Sequence, residues 1–251
     1  MDIVISRILK YLNGCLDNGH KYKIGSYIVK NYPKICKYDL AELMQKGKFS
    51  KDEIIDFCRH LGYQDYESFR RRMISDDQLR LDQINARMLN MDVEPFLDAI
   101  DTSYSKEEFR QLIDTIVDLM FTKKRIVIIG SHYPCSVAVE FQTDMIVFGK
   151  EVVEYHSFDE DFMFDEDDMV VFLTATGRTM EEYVKETKDQ NICVTDFVLV
   201  TQNIRYREFE KICADYVLHV LGKFDGIQFN YQVMLILDLF RIRYYQKYYA
   251  A

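Results

Sequence analysis

Hydrophobic positions in the first 122 residues recur at three- and four-residue spacing, in segments 2–17, 20–31, 38–46, 51–61 and 64–74. That spacing gathers apolar side chains on one face of a helix, and short polar or glycine-containing turns separate the segments. A further helix over about 77–91 leads through Pro95 to one opened by SKEE, where Ser105 and Glu108 fit a capping box. No strand is predicted in this half.

From Arg125 the period changes. RIVIIG, EVVEYH, MVVFLT, FVLVT and YVLHV are short β-rich runs, most of them separated by helical segments such as PCSVAVEFQTDMIVFG. A long helix from about Gln228 to Tyr249 closes the chain. Strands of this length alternating with helices predict a parallel, doubly wound sheet covered on both faces. The expected fold class is an all-α N-terminal helix-turn-helix domain followed by an α/β doubly wound parallel-sheet domain. The helical domain is placed at 1–75, a helical linker at 76–104 and the α/β domain at 105–251.

Composition adds limits. The 251 residues are 48% hydrophobic and 29% charged, as in a folded globular chain. Six cysteines (15, 36, 58, 135, 193 and 213) include no C-x-x-C pair and no histidine at metal spacing, so reduced thiols and no metal are expected. The N-terminus does not read as a signal peptide and no stretch is long enough to span a bilayer, so a cytoplasmic location is expected. Charge is uneven. Residues 1–80 hold 15 Lys and Arg against 11 Asp and Glu, and the rest holds 17 against 30, which gives +4 and −13 within a net −9. A basic front end permits nucleic-acid contact there, and the acidic body opposes it elsewhere.

One stretch stands out chemically. LTATGRT at 173–179 ends a strand and opens a helix, with Thr174, Thr176 and Thr179 arranged around Gly177. Open α/β sheets bind ligands outside the carboxyl ends of their strands. There a helix N-terminus offers N–H groups and a positive dipole end to a phosphate. A threonine that merely caps the helix is the alternative, but it accounts for one hydroxyl of the three.

TATGRT resembles the S-x-S-G-x-T phosphosugar loop of the sugar isomerase (SIS) domain, with Thr174 and Thr176 in place of the two serines. FVLVTQN, which carries Thr201, resembles the next strand of that domain. Over almost its whole length the chain resembles the RpiR-type transcriptional regulators, in which a helical DNA-binding domain precedes an SIS domain that senses a phosphosugar. The resemblance implies a sugar phosphate held by Thr174, Thr176, Gly177, Thr179, Thr201 and the loop after the first strand. That loop departs from the family's G-x-G-x-S. It reads Gly130, Ser131, His132, Tyr133, Pro134, and Pro134 has no N–H to donate. His132 and Tyr133 either supply replacement contacts or only pack the loop. GSHYPC also lacks the G-x-G-x-x-G of a nicotinamide dinucleotide site, and no cofactor is expected.

In YDLAELMQKGKFSKDEIIDFCRHLGY, a helix near 39–46, a turn containing Gly47 and a helix after Ser50 have helix-turn-helix spacing. The segment resembles the RpiR-type pattern at Leu40, Ala41, Glu42, Ser50, Ile54, Phe57, Cys58, Arg59, Leu61, Gly62 and Tyr63. Operator DNA would be met by Lys48, Ser50, Lys51, Arg59 and His60. Glu53 and Asp56 stand where the family has Thr and Arg, and with Asp52 they place three carboxylates where phosphates approach. Glu53 also completes a capping box with Ser50. The run Arg70–Arg72 is either a solvated face or a further DNA contact.

The expected function is a phosphosugar-responsive transcriptional regulator that is not an enzyme. A homodimer is expected through the aromatic closing segment RIRYYQKYY. One alternative is a diverged relative that has lost DNA binding and acts through protein contacts. Another is a phosphosugar isomerase with His132 or His219 as base. The acidic stretch DFMFDEDD reads as a solvated loop before the third strand.

Overall fold

The computed structural model describes residues 3–130, 132–208, 214–224 and 226–250, the side chain of His132 excepted. The N-terminal part is helical: α1 (Val4–Asn13), α2 (His20–Lys30), α3 (Tyr32–Ile35), α4 (Leu40–Gly47), α5 (Lys51–His60), α6 (Tyr66–Met88), α7 (Glu94–Ala99) and α8 (Lys106–Thr122). Four of these helices start on a reciprocal cap: Asp39 with Glu42, Ser50 with Glu53, Asp65 with Ser68, and Ser105 with Glu108. Each cap satisfies N–H groups that the first turn leaves without intrahelical partners.

The two helices expected at 64–74 and 77–91 are one. α6 runs 23 residues without a break and crosses the 75/76 junction. No Gly or Pro interrupts Ser75–Asp76–Asp77. Asp76 turns inward instead, where it accepts the Val4 N–H at 2.9 Å and pairs with Arg72 at 2.8 Å. Asp76 is thus a buried anchor for the start of α1.

The second part contains all five expected strands: β1 (Arg125–Gly130), β2 (Glu151–Glu154), β3 (Asp168–Leu173), β4 (Asp196–Thr201) and β5 (Tyr216–His219). They form one sheet in the order β2-β1-β3-β4-β5, every pair parallel. Between them lie α9 (His132–Ser136), α10 (Val139–Val147), α11 (Arg178–Glu186) and α12 (Arg205–Glu208), and α13 (Ile227–Tyr244) follows β5. Alternation along the strands splits the core. Ile126, Ile128, Met169, Val171, Val198 and Val200 join the large cluster built with α8, α10, α13 and the N-terminal helices. Val127, Ile129, Val170, Phe172, Phe197 and Leu199 join a smaller one containing Met180 of α11 and Tyr206 of α12. A sheet buried on both faces reads as continuous apolar runs, which is how its strands were legible.

The free side of β5 is closed by the segment before α8. Thr102 bridges Val220 in antiparallel sense, and Leu221 N–H donates to the Asp101 carbonyl at 2.7 Å. The Thr102 and Tyr104 hydroxyls donate to the carbonyls of His219 and Val217 at 2.8 and 2.6 Å.

Two expectations are corrected. The closing tyrosines lie largely inside the chain rather than on a surface for a second copy. Tyr244 and Tyr245 are buried, Tyr248 stacks on Phe121 at 4.0 Å, and Arg243 pairs with Asp114. The acidic stretch is solvated only in part, because Asp168 is buried against Arg125, which donates from Nε at 2.9 Å. Among the described residues no group of His, Cys, Asp and Glu is arranged to hold a metal, and no helix is long and apolar enough to cross a membrane.

Candidate functional site

β1 and β3 lie side by side at the centre of the sheet, yet α10 and α11, which follow them, cover opposite faces. This is the topological switch point, where the carboxyl ends of an open sheet leave a crevice. Gly130 and Thr174 stand at those two ends. Strand spacing explains Gly130: a Cβ there would lie 2.5 Å from the Leu173 carbonyl oxygen. Ser131 and the side chain of His132 lie outside the described residues. Tyr133 is exposed.

The loop after β3 is held by its own hydroxyls. Thr174 is buried, and its Oγ1 accepts the Gly177 N–H at 3.1 Å. It therefore caps the turn, while its O–H keeps the capacity to donate. Thr176 Oγ1 accepts the Arg178 N–H at 3.4 Å. Thr179 is exposed on the first turn of α11. Gly177 is the N-cap of α11 with φ +78°, a left-handed conformation that L side chains avoid. Thr174 and Thr176 thus shape the turn that leads into α11.

Thr201 is wholly buried. Its hydroxyl donates to the Ala175 carbonyl at 3.2 Å and accepts the Asn203 N–H at 3.1 Å, so it braces the loop from below. Asn203 and Tyr206, which the sequence did not single out, complete the brace. Asn203 Nδ2 donates to the Thr176 carbonyl at 2.9 Å, and the Tyr206 hydroxyl donates to the Gly177 carbonyl at 3.1 Å. Burial raises the Tyr206 phenol above its ordinary value and keeps it a donor. His219, at the end of β5, is buried, which lowers its pKa. Its Nε2 faces the Gln202 carbonyl at 3.2 Å and must donate, so Nδ1 accepts from the Ser103 hydroxyl at 2.7 Å. Both ring nitrogens are occupied.

α4 and α5 form the expected helix-turn-helix. The left-handed residue of the turn is Lys48 at φ 58°, not Gly47, whose missing side chain makes room for the Phe49 ring. Lys48, Ser50 and Lys51 cluster at the exposed start of α5. Arg59 and His60 are exposed in its last turn, about 12 Å further along the axis. The carboxylates of α5 differ in their partners. Glu53 accepts from the Ser50 N–H and hydroxyl at 2.8 and 2.7 Å, neutral donors that hold its pKa down and keep it charged. Asp56 is bonded by His20 at 3.0 Å and Lys21 at 3.1 Å from α2, and these donors lower its pKa. In the arginine run only Arg72 is closely paired, with Asp76 at 2.8 Å; Arg70 and Arg71 approach Glu67 no nearer than 3.8 and 3.9 Å.

No protein-family model matches the chain. An uncharacterised HTH-type transcriptional regulator of Providencia stuartii, encoded in the aarA 3′ region, is 24% identical over 201 residues, covering 71% of this chain and 67% of that protein. Among solved structures, the Vibrio vulnificus NanR protein complexed with ManNAc-6P is similar over 98% of this chain and 92% of its own, at 15% identity and a TM-score of 0.47. The sugar isomerase domain of an RpiR transcription factor from Sphaerobacter thermophilus is similar over 67% of this chain and 89% of its own, at 10% identity and a TM-score of 0.42. In sequence, then, the chain is similar to a helix-turn-helix regulator over about two thirds of each partner's length.

Proposed function

We propose that the chain is a phosphosugar-responsive transcriptional regulator. Operator DNA meets the start of α5 through Lys48 and Lys51, with Arg59 and His60 at its far end. The sugar phosphate sits at the switch-point crevice, its phosphate on the turn Thr174–Thr179 and the N-terminus of α11. The observation that carries this reading is the pairing of two built sites in one chain: an exposed helix-turn-helix and a left-handed Gly177 turn at the end of β3. The sequence relative from Providencia stuartii supports the DNA-binding half. We place the protein in the cytoplasm, as a homodimer, with domains at 1–75 and 105–251 joined by 76–104, α6 running unbroken through the first junction.

Of the two candidate bases, His219 has both nitrogens engaged, so it is not poised to take a proton from a sugar, and the side chain of His132 lies outside the described residues. DNA binding is favoured over its loss because Asp56, which stands where the family has Arg, is met within the chain by His20 and Lys21.

The test is fluorescence anisotropy with labelled duplex from the gene's own upstream region and a scrambled control, titrated over salt and repeated with hexose 6-phosphates. A regulator binds even the control with a Kd of about 10⁻⁴–10⁻⁶ M, weakening steeply with salt. It binds the upstream duplex more tightly, and the sugar phosphate changes that affinity. Absence of salt-sensitive binding to either duplex refutes the reading.

A further inference from the structure

α10 buries three consecutive polar residues, Gln142, Thr143 and Asp144, all with no exposed surface. A helix that served only to cover the sheet would have apolar residues there. Each of the three instead reaches into the N-terminal helical part. Gln142 Oε1 accepts from Asn13 Nδ2 of α1 at 2.7 Å. The Thr143 hydroxyl donates to the Val139 carbonyl, so it accepts from the Ser6 hydroxyl of α1 at 3.1 Å. Asp144 takes Arg80 of α6 on one oxygen at 2.6 Å and Arg241 of α13 on the other at 2.7 Å.

Both ends of this contact lead to a site. Upstream, only Val137 and Ala138 separate α10 from α9, which follows Gly130 at the crevice. Downstream, Ser6 is followed by Arg7, whose Nη1 donates to the Leu61 carbonyl at the C-terminus of α5 at 3.3 Å. α6 joins the same frame from two successive turns, with Asp76 on the start of α1 and Arg80 on Asp144.

From this we infer that α10 is the coupling element of the regulator: Gln142, Thr143 and Asp144 clamp the DNA-reading helices in one placement, and ligand in the switch-point crevice at the carboxyl ends of β1 and β3 shifts that clamp. The inference rests on the function proposed above and names how its two sites communicate. Polar contacts suit such a joint. Each hydrogen bond is made or broken as a unit, so displacement of α10 produces a second discrete arrangement rather than gradual strain. The present arrangement is not the polar optimum, because Gln142 Nε2 is buried with no partner. A joint kept for cohesion alone would gain from apolar packing of the same volume.

The test locks the joint. The full chain carrying Ser6→Cys and Thr143→Cys is oxidised to join α1 to α10, and the reduced form serves as its own control. DNA affinity is read by anisotropy on the upstream duplex, with and without a panel of hexose and N-acetylhexosamine 6-phosphates. Binding of each sugar phosphate is read separately by calorimetry. In the reduced form the effective sugar phosphate changes the DNA Kd by roughly five- to hundredfold. In the oxidised form that change falls below about twofold, although the sugar phosphate still binds. An undiminished response after oxidation overturns the clamp and leaves the regulator standing. Sugar phosphate that binds the native chain without altering DNA affinity overturns the regulator and the clamp with it. Where the thiols do not cross-link, Asp144→Asn decides, and an undiminished response in that variant overturns the clamp. Asp144→Asn, which removes the carboxylate shared by the two guanidiniums and leaves Arg80 to Glu140 and Arg241 to Asp238, lowers the response in the same direction.

Discussion

The Tyr206 hydroxyl donates to the Gly177 carbonyl, and its ring fills the space that a side chain on residue 177 would need, with the ring edge 2.0 Å from an ideal Cβ. Gly177 is thus fixed twice, by its left-handed φ and by its neighbour. Gly177→Ala costs about 2 kcal/mol from the backbone alone, before the ring is displaced. Tyr206→Phe removes one hydrogen bond and costs about 1 kcal/mol. Urea unfolding at constant m-value should rank the two in that order, and calorimetry should find sugar-phosphate binding lost in the glycine variant.

On the DNA-facing helix the charges divide into engaged and available. Lys51→Ala should weaken binding to upstream and scrambled duplex alike and lower the salt slope by about one. Asp56→Ala should act in the opposite direction, because it removes a negative charge from α5 and releases the Lys21 ammonium beside it. A stronger effect of Asp56→Ala on stability than on DNA affinity would contradict this assignment.

Glu154 gives the chain a pH dependence of its own. Burial beside Cys135 pushes its carboxyl from 4.5 up to about 7. Between those values the folded chain holds a proton that the unfolded chain has released, so stability falls as pH rises through this window. Glu154→Gln removes the penalty. The variant should match the native chain near pH 4.5 and exceed it by up to about 3 kcal/mol above pH 7. Equal differences at both pH values would exclude the carboxyl as the cause.

Arg125 and Asp168 pair at adjacent register positions of β1 and β3, with the carboxylate buried. Arg125→Ala strands that charge, at a cost of about 3 kcal/mol. Replacing both residues with apolar ones of similar volume should recover much of the loss. Thermal melts of the single and double variants distinguish a required ion pair from a cost of stranding its survivor.

Features legible in the sequence were local. The five strands were readable because β-branched runs bounded by helical periods need no knowledge of their neighbours. The caps at Ser50 and Ser105 were readable because both members lie within one turn. What escaped depended on distant partners. Glu53 and Asp56 looked alike as negative charges on a reading helix, but Asp56 is answered by residues about 36 positions earlier. Tyr206 braces a glycine 29 positions before it, and nothing around it hints at that contact. The tyrosines of the last helix were misplaced for a related reason. Aromatic residues suit a core and an interface equally, and only Phe121 and Phe148 of the same chain decide between them. At the end of β3, Thr174–Thr179 stands out by composition, whereas the part its hydroxyls play in shaping the turn depends on backbone geometry that composition does not carry.

The segment 101–104 laid along β5 bears on how copies of this chain can meet. An unpaired parallel edge is a template for another strand, and proteins that leave one open risk ordered aggregation. Here the outermost carbonyls of Val217 and His219 already receive the Tyr104 and Thr102 hydroxyls. The sheet therefore cannot be lengthened on that side by a strand from a neighbour unless the lead-in to α8 first peels away. Self-association at this edge is restricted to contacts between side chains, which are reversible and sensitive to shape in a way that shared backbone ladders are not.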